Sequence, residues 1–244
     1  MKKPNFRQGG FTLVEMIFVL AIVLVLVAIF LPLATSQIST AKTTRVQSDE
    51  DALSAALTAF FSDLGIWPAA NTTVVSGSSP TTSQTLHFLL VGDGGPTITS
   101  FNPTDVTAST LWVTAQACPD GTTTNKGSVQ SGVAPTGTCA TKQNAFNHLA
   151  FNDPNTNGTS NSSNDYKTTG SKKWKGPYIA KLAADAYGNN YVVNIGAITG
   201  SGTSGSTEFG WIISSGPNSN LDTNPTAAVI SSDDIGYIFC TNCQ

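Results

Sequence analysis

Gly10-Phe11-Thr12-Leu13-Val14-Glu15 opens a stretch that runs to Leu33, reading FTLVEMIFVLAIVLVLVAIFLPL from Phe11 onward. Only Thr12 and Glu15 interrupt it, and Met16 to Leu31 contains no polar side chain. At 1.5 Å of rise per residue, about 20 apolar residues in a helix cross the hydrocarbon of a bilayer. The stretch therefore predicts a membrane-spanning helix. The leader before it, MKKPNFRQGG, has Lys2, Lys3 and Arg7 as its only charges. By the positive-inside rule the leader stays cytoplasmic and everything after the span is exported. A secretory signal peptide would be cut near Leu33-Ala34-Thr35-Ser36, but its apolar run is usually only about 7–15 residues. A plain anchor fits the length and leaves Glu15 unexplained. A charge inside the bilayer costs roughly 2.5–3.5 kcal/mol on insertion scales and is kept for a function.

Taken together, the basic leader, Gly10, Phe11, Glu15 and the uninterrupted run resemble the processing site of the type IV pilin superfamily. The resemblance implies that a membrane peptidase cuts after Gly10 and that the new N-terminal Phe11 is N-methylated. Glu15 then becomes the fifth residue of the mature chain. It is expected to pair with the Phe11 amine of a neighbouring subunit. A lone buried charge is costly, so each partner favours the pairing of the other and register is fixed. Pro32 falls where the family carries a helix-weakening proline, and proline lacks the N–H a helix needs.

The 244 residues suffice for one large or two small domains. Apolar residues make up 40% and charged residues only 11%, against about 25% charged in ordinary soluble domains. Hydroxyl and amide side chains fill the gap, with 33 Thr, 25 Ser and 18 Asn. A nucleic-acid binder needs a basic face to neutralise phosphates, so none is expected as a partner. His87 and His148 are the only histidines, which leaves little for His-based catalysis. There is no nucleophile–His–acid set, phosphate loop or metal-hydrolase motif, so an enzyme is not expected. Loss of the leader would leave nine basic against fifteen acidic side chains and shift the net charge from −3 to −6.

Beyond Pro32 the pattern turns amphipathic. Leu53, Leu57, Phe60 and Leu64 recur at helical spacing, with Ala52, Ala56 and Ala59 beside them. Asp49, Glu50, Asp51 and Asp63 read as lying largely off the stripe. Gly65 suits a C-terminal cap and Pro68 follows it. A helix from Phe11 to Leu64 is predicted, about 81 Å long if straight, or two helices hinged at Pro32. Its first half, apolar all round, suits a bundle of like helices. Its second half needs a sheet to cover one stripe. Lys42 and Arg45 read as solvated charges.

Five segments follow: leader 1–10, membrane and assembly helix 11–34, amphipathic half and cap 35–68, a Thr/Ser/Asn-rich inserted region 69–171, and a C-terminal sheet 172–244. Leu86 to Val91 and Ala145 to Phe151 are short apolar runs, Leu111 to Ala115 reads as a strand, and Asn152 to Gly170 as an exposed loop. In the last segment Gly188-Asn189 signals a turn before Tyr191-Val192-Val193. Phe209 to Ser214 and Ile235 to Phe239 read as strands, with a turn at Gly216-Pro217-Asn218. The expected fold is α+β: a long N-terminal helix packed on an antiparallel sheet of three or four strands.

Gly65-Ile66-Trp67-Pro68, Trp174-Lys175-Gly176-Pro177-Tyr178 and Asp185…Tyr187-Gly188-Asn189…Tyr191 are similar to the major pseudopilin of type II secretion systems. That resemblance implies a periplasmic pseudopilus that helps export folded proteins. The expected partners are further copies of the chain, a prepilin peptidase, an inner-membrane assembly platform, minor pilins or pseudopilins, and the lipid bilayer. It places the chain in a bacterial inner membrane as a single-pass protein. Ser214 to Ile235 resembles that family's calcium loop, with Asp222, Asp233, Asp234 and Ser215 as candidate ligands and Asn218 and Asn220 as further oxygens. Calcium takes six to eight oxygen ligands, but the spacing is not that of an EF-hand. The inserted region has no counterpart in a compact major pseudopilin. It leaves open a surface type IV pilin serving adhesion, motility or DNA uptake, or a membrane-anchored binding protein.

Cys118, Cys139, Cys240 and Cys243 all lie in the exported part. An even count in an exported chain suggests two disulfides, and three connectivities are open. Zinc or redox chemistry would use Cys240-x-x-Cys243 differently, with a close second pair or a helix start. Asn71, Asn157 and Asn161 stand in N-glycosylation acceptor triplets.

Overall fold

The computed structural model describes residues 10–68, 86, 88–92, 107–108, 143–154, 165–180, 182–199, 209–225 and 227–240. In order, the elements are helix α1 (Leu13–Leu64), strands β1 (Phe88–Val91) and β2 (Thr107–Ala108), helix α2 (Ala145–Leu149), strand β3 (Tyr191–Asn194), helix α3 (Ile195–Thr199), and strands β4 (Gly210–Ser214), β5 (Asn220–Leu221) and β6 (Ile235–Cys240). The chain divides into two compact units, residues 1–42 and 43–244.

The first unit holds the N-terminal part of α1. Every residue from Gly10 to Ala41 is exposed, and the most apolar 18-residue window has a mean hydropathy of 3.3. An apolar surface this complete is stable only in lipid or against like helices. The helix passes through Pro32 without a break, so the two-helix alternative does not hold. Pro32 cannot donate a hydrogen bond there, and its carbonyl accepts the Thr35 hydroxyl at 2.9 Å. The helix starts at Leu13 rather than Phe11, because Thr12 is its cap.

In the second unit Val46, Glu50, Leu53, Leu57, Phe60 and Leu64 form the buried stripe of α1. One sequence expectation needs correction here. Of the flanking alanines Ala56 is buried and Ala52 and Ala59 are exposed, but Glu50 lies on the stripe instead of off it. Counting back from Leu53 by three and from Leu57 by seven lands on Glu50, so the period itself carried that signal.

The four-stranded antiparallel sheet runs β1-β3-β4-β6. Leu89 lies beside Val193, Val193 beside Ile212, and Ile212 beside Tyr237. Leu89, Val91, Tyr191, Val193 and Ile212 share one hydrophobic core with the stripe of α1, and Ile235, Tyr237 and Phe239 pack against it. The fold is the expected α+β. A second, two-stranded sheet pairs β2 with β5 in parallel, which the sequence did not announce. Ala145–Leu149 is one helical turn, capped by the Asn144 side chain on the Phe146 N–H. The reading of 152–170 as an exposed loop fails at 152–154 and 165–166, while 167–170 are exposed as expected. Asn152, Asp153, Asp165 and Tyr166 are buried, because Asn152 and Tyr166 exchange two hydrogen bonds of 3.0 Å that close the loop. The strand expected at Leu111 to Ala115 lies outside the described residues.

Candidate functional site

At the N-terminus, Gly10 and Phe11 precede the helix in the open, and Phe11 is 83% exposed. The Thr12 N–H and hydroxyl donate to Glu15 Oε2 at 2.8 and 2.9 Å. The Glu15 N–H returns a bond to Thr12 Oγ1 at 3.3 Å. This is a capping box, in which residues three apart satisfy each other's orphan groups at a helix start. The Thr12-x-x-Glu15 spacing is the sequence signal of this cap. The structure joins Glu15 to Thr12, with Gly10 and Phe11 just before the helix and Pro32 further along α1.

At the other end of α1, Gly65 adopts a left-handed φ of +71° and donates to Phe61 O at 2.7 Å. The segment 172–178 grips this turn. Lys172 Nζ donates to Ser62 O at 3.1 Å, the Lys173 N–H to Asp63 O at 3.1 Å, and Lys175 Nζ pairs with Asp63 at 2.5 Å. The Tyr178 hydroxyl donates to the other Asp63 oxygen at 3.1 Å. The Lys175 bond leads in holding Asp63 below the ordinary carboxylate range. Burial comes first in pushing the Tyr178 phenol up to about 12. The Trp174-to-Tyr178 motif is therefore a clasp on the helix end.

The C-terminal loop gathers Asn218, Asp222, Asp233 and Asp234 through hydrogen bonds to one another and to the backbone between them. Asp234 is 6% exposed, and its Oδ2 accepts the N–H groups of Asp222 and Thr223 at 3.0 and 2.7 Å. Burial pushes its carboxyl up to about 6, against the pull of those donors. Asp233 accepts the Asn218 N–H at 2.8 Å and the Ser232 hydroxyl at 3.1 Å. Asp222 accepts the side-chain amides of Asn218 and Asn220 at 2.9 and 2.6 Å. Asp234 Oδ1 and Ser215 Oγ are buried oxygens without a protein partner among the described residues. No three Asp, Glu, His or Cys side chains converge as a metal-holding group among those residues. The donors are all oxygen, the chemistry a hard cation takes, with two of them unspent.

Asp185 opens the Asp185…Tyr187-Gly188-Asn189 motif, and the structure gives it a task. Its Oδ1 accepts the Tyr187 and Asn189 N–H groups at 2.8 Å each, which shapes the turn, and its Oδ2 accepts the Ser214 hydroxyl. Cys240 ends β6 in a disulfide. Cys118, Cys139 and Cys243, the three glycosylation triplets and His87 lie outside the described residues. His148 is buried on α2 and its Nδ1 lies 2.8 Å from the Tyr166 hydroxyl, a packing role.

The family model described as the prokaryotic N-terminal methylation motif matches residues 5–31. No curated protein and no solved structure matches the chain. The motif match supports a type IV pilin-like subunit, from a class of proteins that is structural rather than enzymatic, and among the described residues one helix is long and apolar enough to anchor it in a membrane.

Proposed function

We propose that this chain is the structural subunit of a filament, most like a type II secretion pseudopilus that helps export folded proteins, and has no enzymatic activity. The carrying observation is the matched motif, with its Gly10–Phe11 junction, at the head of a helix whose first unit exposes every apolar side chain. A prepilin peptidase cuts that junction and leaves a cationic amine on Phe11. In the single subunit Glu15 is satisfied by Thr12. On docking, the amine of a neighbour competes for this carboxylate and offers a full charge where Thr12 offers neutral donors. The apolar surfaces then bundle, and the heads stay outside the inner membrane. The assembly platform and minor pseudopilins supply the start of the bundle. Mass spectrometry of the membrane-extracted protein tests this reading. The expected product lacks residues 1–10 and begins with N-methylated Phe11, and an intact leader in a peptidase-competent host overturns it.

The C-terminal loop supports calcium as a ligand through Asp222, Asp234 and Ser215, with Asp233 closing the loop behind them. Bound there, the ion would neutralise clustered carboxylates and tie 214–223 to 231–235. A surface pilus is favoured by one observation, the long region 69–171, which a compact pseudopilin lacks. Electron microscopy separates the two: long surface fibres support the pilus, and short periplasmic ones the pseudopilus.

A further inference from the structure

Glu50 is 1% exposed on the buried stripe of α1. Its carboxyl accepts the Ser214 N–H of β4, and its Oε1 has no hydrogen-bond partner among the described residues. The groups acting on it come from every side. Asp49 and Asp51 lie on α1, and Asp185 on the turn before β3. From β3 comes Tyr191, whose hydroxyl donates to Asp49 Oδ2 at 2.7 Å. From β6 comes Tyr237, whose hydroxyl donates to the Glu50 carbonyl at 3.4 Å. Three carboxyl groups and two phenols thus act on Glu50. Arg45, one turn back on α1, is half exposed and already engaged, 3.7 Å from Asp49 and 3.1 Å from Ala184 O. A dry carboxylate beside like charges is expensive, while a neutral acid in the same place costs far less.

We propose that Glu50 is a proton-held joint between α1 and the sheet: the folded head carries it as a neutral acid, and the joint loosens when that acid ionises. Burial, then Asp51, Asp185 and Asp49, push the group up to about 9, and only the Ser214 N–H pulls it down. The carboxylate takes one proton from the medium on folding and returns it to water on ionising. The folded value lies above the ordinary 4.5, so the stabilisation is full below that value and is lost as pH rises through about 9. Between the two, each pH unit upward lowers the folding equilibrium constant by up to about tenfold. With the head exported, as proposed above, the external medium sets this proton. The joint itself does not depend on filament assembly.

The test uses the full chain in detergent, with thermal unfolding followed by tryptophan fluorescence between pH 6 and 9. Wild type is expected to lose melting temperature across this range, and Glu50→Gln to lose far less. Parallel pH curves for the two proteins overturn the proposal. Infrared spectroscopy of wild type at pH 8 stands independent of the variant's folding: a protonated carboxylic-acid band is expected, and its absence overturns the proposal. Sodium or calcium raising the melting temperature of wild type but not of Glu50→Gln at fixed pH also overturns it, by putting a cation where the proton is proposed. An uncut leader or missing fibres defeats the filament reading and leaves these measurements standing.

Discussion

Single side chains decide most of the chemistry here. Glu15 caps its own helix, and in the proposed filament it would then partner a neighbour's amine. Glu15→Ala should still lose its leader, because Gly10 and Phe11 remain, but should assemble poorly. Filament yield against processed monomer, read on immunoblots of sheared and membrane fractions, checks this, and normal yield would sink the pairing role. Asp234 makes a pH-dependent contribution of the same sign as Glu50. Its carboxyl is raised from 3.8 to about 6, so the contribution is full below the lower value and lost as pH rises through the upper one. Acidification from pH 7 to 4 should stabilise wild type relative to Asp234→Asn by an amount on the order of 2–3 kcal/mol. Urea unfolding at the two pH values measures the difference. The helical period places Glu50 on the buried stripe, but the neighbours of Glu50 and Asp234 are not legible in sequence. Both are buried in part by elements distant in the chain.

Among the elements, α1 and the sheet stabilise each other through a few large side chains. Phe60 is fully buried, edge-on to Tyr166 at 5.0 Å and to Tyr178 at 5.6 Å between ring centroids. Phe60→Ala should cost roughly 3–5 kcal/mol, the usual range for emptying an aromatic site in a core. Chemical denaturation in detergent reads it as a lowered midpoint. Gly236 sits in β6 against β4, where an added Cβ would meet Ile212 O at 2.3 Å. That contact is backbone and cannot swing aside, so Gly236→Ala should destabilise by about 1–3 kcal/mol. The same measurement checks it, and an unchanged midpoint would show that β6 can shift. Strands β3, β4 and β6 were readable because apolar and β-branched runs are bounded there by Gly, Pro and Asn turns. Helix α3 and strand β5 were not, being too short for a period to show.

At the scale of the whole molecule, the chain beyond the apolar span is polar and low in charge, so cross-links and ions have more to stabilise. Millimolar calcium should raise the melting temperature of the full chain in detergent, and chelator should reverse it. Asp222→Ala should abolish the response. No shift with either reagent would remove calcium from the C-terminal loop. The amino-acid sequence by itself determined the apolar run, the Gly10-to-Glu15 motif and the α+β class. These rest on contiguous patterns, a hydrophobic run and periodicities that a local reading can count. Only the tertiary structure decided that Asp63 is clasped by Lys175 and Tyr178, that Asp185 holds Ser214, and that Glu50 is buried between helix and sheet beside other acids. Those arrangements join residues far apart in the chain, and the helical period, which does place Glu50 on the buried stripe, encodes none of the partners that meet there.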